Sequence, residues 1–349
     1  MDRIEIQLYL MSMEYLLVSP ESLKRAAEVL RSGGLVAFPT ETVYGLGADA
    51  YNSEALAKVF EVKGRPRFDP LIIHIASIKA LGDAADLSLL NEETRQKLFL
   101  LAEKLWPGPL SLVLPKNERI PNLATAGLST AAFRLPANES ARELISLSNG
   151  AVAAPSANPF GALSPTRAEH VRDKLGEKID IILDGGPAHI GVESTVLDIT
   201  SKNIRILRPG GTPKETIEKL IGAVGDNDFQ AGEMAFGLAS PGMLKSHYAP
   251  QTPLSAFSKK EITRLPCEKN CTYLFFDGLS RDKWLEMSPN ASSFSVLSET
   301  GSLIEAAARL FDVLHELEKG GFSRIYAQFA PQEGLGAAIN DRLRRASSE

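Results

Sequence analysis

Apolar positions along the chain follow two rhythms. Stretches with an apolar residue at every third or fourth position read as helices, and short continuous apolar runs between them read as buried strands. Ser19 followed by Pro20 opens the first helix, and Leu23, Ala26, Ala27 and Leu30 share one face before Gly33 and Gly34 stop it. A strand over Leu35 to Phe38 follows, then a helix from about Ser53 to Val62, a strand from Leu71 to Ile75 and a helix from about Asn91 to Leu105 that Pro107, Gly108 and Pro109 end. The alternation continues through strand Leu110 to Leu114, strand Ala131 to Leu135, helix Glu139 to Leu147, strand Ala151 to Ala154, helix Arg167 to Leu175 and strand Ile179 to Leu183. Strands near Thr195 to Ile199 and Ile204 to Leu207 precede Thr212-Pro213-Lys214-Glu215, which reads as a capping box opening a helix to Ile221. This order predicts an α/β domain.

From Gly222 to about Pro253 the periodicity disappears and Gly, Asp, Asn, Ser and Pro accumulate, as in a linker. Beyond it, strands Thr272 to Phe276, Phe294 to Leu297 and Arg324 to Phe329 alternate with an amphipathic helix Ser302 to Glu318 and a last helix Ala337 to Ala346. The chain therefore divides into a larger α/β domain over 15–210, a connecting segment over 211–253 and a small α/β domain over 254–349. The amino terminus reads as a first strand and lacks the charge and cleavage pattern of a signal peptide, and Met11 or Met13 could equally open the chain.

Charge and cysteine content narrow the function. The 349 residues carry 38 Lys and Arg against 43 Asp and Glu, a formal net charge of −5, which argues against a surface built to grip nucleic acid. Any anion site must be local. Two cysteines, Cys267 and Cys271, cannot staple a protein of this size or close a zinc site. No run approaches a membrane span, so no membrane partner is expected and a cytoplasmic location is. No metal site is expected either. Phosphate-loop, zinc-protease and serine-hydrolase motifs are absent. Gly45-Leu46-Gly47-Ala48-Asp49-Ala50 fits a dinucleotide fingerprint formally, but no buried strand precedes it and no helix opens on the glycines.

Five polar clusters at strand ends carry the candidate chemistry. Pro39-Thr40-Glu41-Thr42-Val43-Tyr44-Gly45 is a hydroxyl-rich turn. Lys63, Arg65 and Arg67 alternate with Gly64 and Pro66, a rigid cation array suited to phosphate oxygens, shortly before Asp69 and a strand whose single polar residue is His74. Arg134 lies in an apolar strand that starts after Thr130, and a buried guanidinium needs an anion, from the protein or from a substrate. Ser156, Asn158 and Thr166 surround prolines before a helix start. Gly191-Val192-Glu193-Ser194-Thr195 and Arg208 add a hydroxyl and another cation.

In combination these clusters resemble the YrdC-type threonylcarbamoyl-AMP synthases in their long, two-domain form. The matching pieces are Pro39 to Leu46, the K-x-R of Lys63 and Arg65, Trp106-Pro107-Gly108-Pro109-Leu110, the S-x-N of Ser156 and Asn158, and Gly191 to Thr195. Ser240-Pro241-Gly242-Met243 and His247-Tyr248-Ala249-Pro250 resemble the family's interdomain segment, which lies against the active site. The resemblance implies a twisted mixed YrdC-like sheet with helices, followed by a smaller Rossmann-like α/β domain. It implies a nucleotidyltransferase that makes L-threonylcarbamoyladenylate and pyrophosphate from L-threonine, bicarbonate and ATP, for the modification of tRNA beside the anticodon.

Carried over by position, Lys63 and Arg65 act on the triphosphate, with Ser156, Asn158, Thr166, Arg208, Tyr248, Thr130 and Asp69 also toward ATP. Arg134 pairs with threonine's carboxylate, while Thr42, His74 and Ser194 shape the amino-acid pocket. Mg2+ arrives with ATP, for want of a carboxylate cage. The implied partner is a downstream tRNA threonylcarbamoyl transferase that takes over the product, and weak RNA binding is left open. Against this stand a nucleic-acid-binding module, a carbamoyl-transfer maturation factor and a purely regulatory nucleotide binder.

Overall fold

The structure is a computed structural model that describes residues 13–201, 203–226, 248–266, 268, 270–288 and 293–347. Its first helix, Pro20–Arg31, begins where Ser19 and Ser22 cap each other's backbone N–H groups, an arrangement that contributes about 1 kcal/mol. Its apolar face, Leu23, Ala26, Ala27 and Leu30, is buried against helix Glu139–Leu147 and the sheet. Each such leucine, taken out of water, contributes roughly 1.5–3 kcal/mol before ordering costs. Helices Ser53–Lys63 and Glu92–Leu105 start on Asn52 and Asn91, whose side chains accept N–H bonds from the first turn.

Eleven strands among the described residues form one mixed sheet, in the order Glu14–Leu17, Ile181–Asp184, Val36–Phe38, Gly45–Asp49, Ala151–Ala153, Ile72–Ile75, Thr130–Arg134, Leu110–Pro115, Thr195–Asp198, Arg205–Arg208, Gly225–Asp226. Strand Ile72–Ile75 runs parallel to Thr130–Arg134, with Ile72 beside Ala132 and His74 beside Arg134. A second sheet of four parallel strands, Leu254–Phe257, Arg324–Gln328, Cys271–Asp277 and Phe294–Ser298, carries helices Gly278–Met287, Leu303–Lys319 and Gly336–Ala346. No helix among the described residues is long and apolar enough to cross a membrane.

Three local differences from the sequence reading have physical causes. Gly45–Asp49, read as part of a loop, is a fully buried strand paired with Val36–Phe38. A Cβ on Gly47 would meet Phe38 at 2.8 Å and Val152 at 2.9 Å, so glycine here permits tight sheet packing that its low strand propensity hides. Helix Lys214–Ile221 starts at Pro213 without a side-chain cap, because the Thr212 N–H turns instead to the Thr195 hydroxyl at 3.1 Å. That helix buries Ile217 in the large core, and Gly225–Asp226 adds the edge strand of the first sheet, so residues 214–226 of the connecting segment pack with the first domain. Residues 240–243 and His247 lie outside the described residues. Strand Leu254–Phe257 and helix Gly278–Met287 had no clear period in the sequence.

Candidate active site

A cleft opens where the central strands of the first sheet meet the end of the connecting segment, with about 500 Å3 of empty space counted out to solvent. Alternate residues of a strand face the same side, so the register that sets His74 beside Arg134 places both on the cleft face. Thr42 and Ser194 join them on its wall. So do Arg65, Ser156, Arg208 and Tyr248. Eight side chains predicted from six separate segments thus converge on one cleft.

The remaining candidates do not line it. Lys63 is buried behind the wall, its ammonium donating to the carbonyls of Ser156, at 2.6 Å, and Asn158. Burial and the neighbouring Arg65 push its pKa well down. Where the sequence reading gave Lys63 the triphosphate, this geometry has it fastening the Ser156–Asn158 turn. Asp69 is likewise buried, with Oδ2 at 2.9 Å from Arg65 Nη2, and burial raises its pKa. The Asn158 amide donates to the carbonyls of Pro159 and Ala162. Thr166 bonds through its N–H to His170 Nδ1 at 3.3 Å. Thr130 opens the strand that Arg134 closes, about 13 Å away at 3.3 Å per residue.

Two carboxylates that sequence reasoning passed over organise the wall. Glu41, flanked by the threonines of the first cluster, lies 2.7 Å from Arg134 Nη2, and both side chains are buried. Arg134 also donates from Nη1 to the Thr42 hydroxyl at 2.9 Å and from Nε to the Gly108 carbonyl at 3.3 Å. The anion that a buried strand arginine requires is therefore already present in the protein. Nε and Nη1 thus hydrogen-bond within the protein, while Nη2 meets Glu41 as an ion pair. Burial alone would raise the pKa of Glu41, but Arg134 brings it below the usual carboxylate range. The signal in the sequence was Glu41 itself, an acid between hydroxyls in an apolar setting.

Glu193 follows the same logic with a partner from the second domain, Arg342, at 2.7 Å. Its other oxygen accepts from the Ser164 hydroxyl. Burial opposes its charge, while Arg342 and then Arg208 lower its pKa overall. Arg208 grips Ser194, donating to its carbonyl at 2.9 Å and to its hydroxyl at 3.2 Å, and Ser111 bonds that hydroxyl at 2.8 Å. His74 is neutral: burial, then Arg134, pushes its pKa down to about 3. Its Nδ1 has no hydrogen-bond partner among the described residues.

Among the described residues no group of His, Cys, Asp and Glu has metal-holding geometry. The carboxylates nearest the cleft, Glu41, Asp69 and Glu193, each face an arginine instead. The hydroxyls of Thr40, Thr42 and Ser194 bond one another, Ser111, Arg134, Arg208 or the Val43 carbonyl. Such a cleft, lined by arginines, hydroxyls and a neutral histidine, has the donor set of a protein that binds small molecules.

Comparison with known proteins agrees. Residues 28–210 match the family model Sua5_yciO_yrdC, described as telomere recombination, and residues 212–348 match Sua5_C, the threonylcarbamoyl-AMP synthase C-terminal domain. The chain belongs to the threonylcarbamoyl-AMP synthase family, in its two-domain form. It is 42% identical over 323 residues to the threonylcarbamoyl-AMP synthase of Pyrococcus abyssi (strain GE5 / Orsay), spanning 92% of this chain and 93% of that one. It is 40% identical over 331 residues to that of Bacillus subtilis (strain 168), spanning 93% and 92%. The crystal structure of P. abyssi Sua5 complexed with L-threonine superposes with a TM-score of 0.84 at 39% identity, covering 96% of this chain and 97% of that one.

Proposed function

We propose that the cleft joins L-threonine, bicarbonate and ATP into L-threonylcarbamoyladenylate and releases pyrophosphate. The observation that carries this reading is the convergence of His74, Arg134 and Thr42 with Arg65 and Arg208 in one cleft. The relative solved with L-threonine supports the amino-acid end. In this chain, threonine's carboxylate pairs with the Arg134 guanidinium, which Glu41 and Thr42 hold in place. Neutral His74 accepts a hydrogen bond from the amino acid without adding charge. Ser194 borders both ends.

Threonine's amine adds to carbon dioxide derived from bicarbonate and loses a proton, giving a carbamate. A carbamate oxygen then attacks the α-phosphorus of ATP, the bond from that phosphorus to the bridging oxygen breaks, and pyrophosphate leaves with the electron pair. Arg65 and Arg208 meet the charge that develops on the phosphates, Ser156 offers a hydroxyl, and Tyr248 closes over the nucleotide. Lys63 backs the same wall, and a bound triphosphate would add to the opposite charge that Asp69 brings to it. Mg2+ belongs to this scheme as part of the incoming nucleotide. An acidic chain with a concentrated cationic cleft suits handing the adenylate to a tRNA-modifying transferase better than holding tRNA itself.

The test is incubation with ATP, L-threonine and labelled bicarbonate, which should give threonine-dependent pyrophosphate release and a labelled adenylate. Arg65→Ala should lower turnover about 10²-fold or more, as loss of a charge-stabilising donor does. Undiminished adduct formation in that variant would remove Arg65 from the mechanism.

A further inference from the structure

The second domain supplies more than a neighbour to the first. Gly191, at φ 76°, lies so close to helix Leu303–Lys319 that a Cβ there would meet the Ala307 carbonyl oxygen at 2.2 Å. Val192 is buried in the apolar core of the second domain. The segment that ends in Glu193 and Ser194 is therefore clamped by the second domain before it reaches the cleft. On helix Gly336–Ala346, Arg342 is 1% exposed and completes that clamp. Its Nε lies 2.7 Å from Glu193, and its guanidinium carbon lies 4.8 Å from the centre of the Tyr248 ring. Phe311, also of the second domain, lies 5.9 Å from the same ring. One guanidinium thus touches two residues of the cleft wall, both beside Arg208.

We propose that Arg342 is a positioning residue for the nucleotide end of the cleft: it neutralises Glu193, so that Arg208 is available to phosphate, and it holds the Tyr248 ring in place. This rests on the reading that ATP binds at Arg65 and Arg208. Without Arg342, the Glu193 carboxylate keeps its charge inside the wall, and the nearest remaining cation is Arg208. Glu193 then competes with the phosphates for that guanidinium and repels them directly. Threonine, held by Arg134 and its own partner Glu41, is outside that competition.

The experiment is calorimetric titration of the full chain with MgATP and, separately, with L-threonine. Arg342→Met should weaken ATP binding about tenfold or more, since truncating one partner of a buried charge pair is costly, and threonine binding less than about threefold. Adding Glu193→Gln to Arg342→Met removes the stranded charge and should recover most of the lost ATP affinity, whereas loss of packing alone would not be recovered. A double variant as weak as the single, or equal weakening of both ligands, overturns the proposal. Arg342→Lys keeps the charge but loses the planar contact with the Tyr248 ring, so its ATP affinity should fall between those of wild type and Arg342→Met. If Arg342→Met does not fold, Glu193→Gln alone decides, because it should bind ATP at least as tightly as wild type, and weaker binding overturns the proposal. A wild-type chain that binds threonine but no ATP removes the nucleotide reading itself, and this proposal with it.

Discussion

Two buried arginine–glutamate pairs border the cleft, Arg134 with Glu41 and Arg342 with Glu193, each closing at 2.7 Å. In both the arginine holds a carboxylate below its usual pKa against the cost of burial. They differ in what brings the partners together. Arg134 is placed by sheet register inside the first domain, beside His74. Arg342 arrives only because the second domain docks on Gly191 and Val192. The same chemistry thus serves once inside the scaffold of the first domain and once across the contact between the two domains.

The largest effect should come from stranding a charge within the scaffold pair. Arg134→Met leaves Glu41 uncompensated and should cost about 3–5 kcal/mol of stability in urea unfolding, with Glu41→Gln added to it recovering a good part. A double variant as unstable as the single would mean that Arg134 acts through packing, and the parallel with Arg342 would fail.

Acid should act next. His74 titrates in the folded chain at about 3 and in the unfolded chain near 6.5, so the unfolded state binds the extra proton between those values. Stability is then complete above pH 6.5 and declines as the pH falls toward 3, and His74→Gln should flatten that decline by up to a few kcal/mol. The interdomain counterpart is the stack of His170 on His315, with ring centres 3.9 Å apart. Burial lowers both, His170 to about 3, with the same sign of pH dependence. Glu41 and Glu193, depressed below the ordinary carboxylate value of 4.5, add a further loss only below about that pH. Unfolding curves from pH 7 to 4 for wild type, His74→Gln and His170→Gln would separate the two regions. An unchanged slope in His74→Gln would mean that this histidine is not buried neutral.

The smallest effect belongs to the exposed rim of the interdomain contact. Arg167 meets Asp312 at 2.7 Å and Lys319 meets Asp173 at 3.0 Å, both in water. Arg167→Ala should cost roughly 0.2–1 kcal/mol, less at high salt. A loss as large as that of Arg134→Met would show that the rim, and not the buried pair, holds the domains together.

Much of this was legible in the chain. Periodicity located helices such as Glu139–Leu147 because their apolar faces repeat within a few residues. The cationic cluster and the buried strand arginine called for anionic partners because such charges are costly alone, and Asp69 and Glu41 meet Arg65 and Arg134 within the protein. Strand Gly45–Asp49 was not legible, since its glycines carry no strand signal and their reason lies in Phe38 and Val152 across the sheet. Neither was the place of Lys63, buried behind the wall with its ammonium between the carbonyls of Ser156 and Asn158.

By itself, then, the sequence determined which residue types gather at strand ends and that an anion would meet them, because local spacing and composition dictate those properties. Only the tertiary structure decided who pairs with whom. Arg134 and Thr42 are 92 residues apart, and Arg342 and Glu193 are 149 apart in two domains. A contact over such distances depends on sheet register and domain docking, and no local pattern in the chain records either.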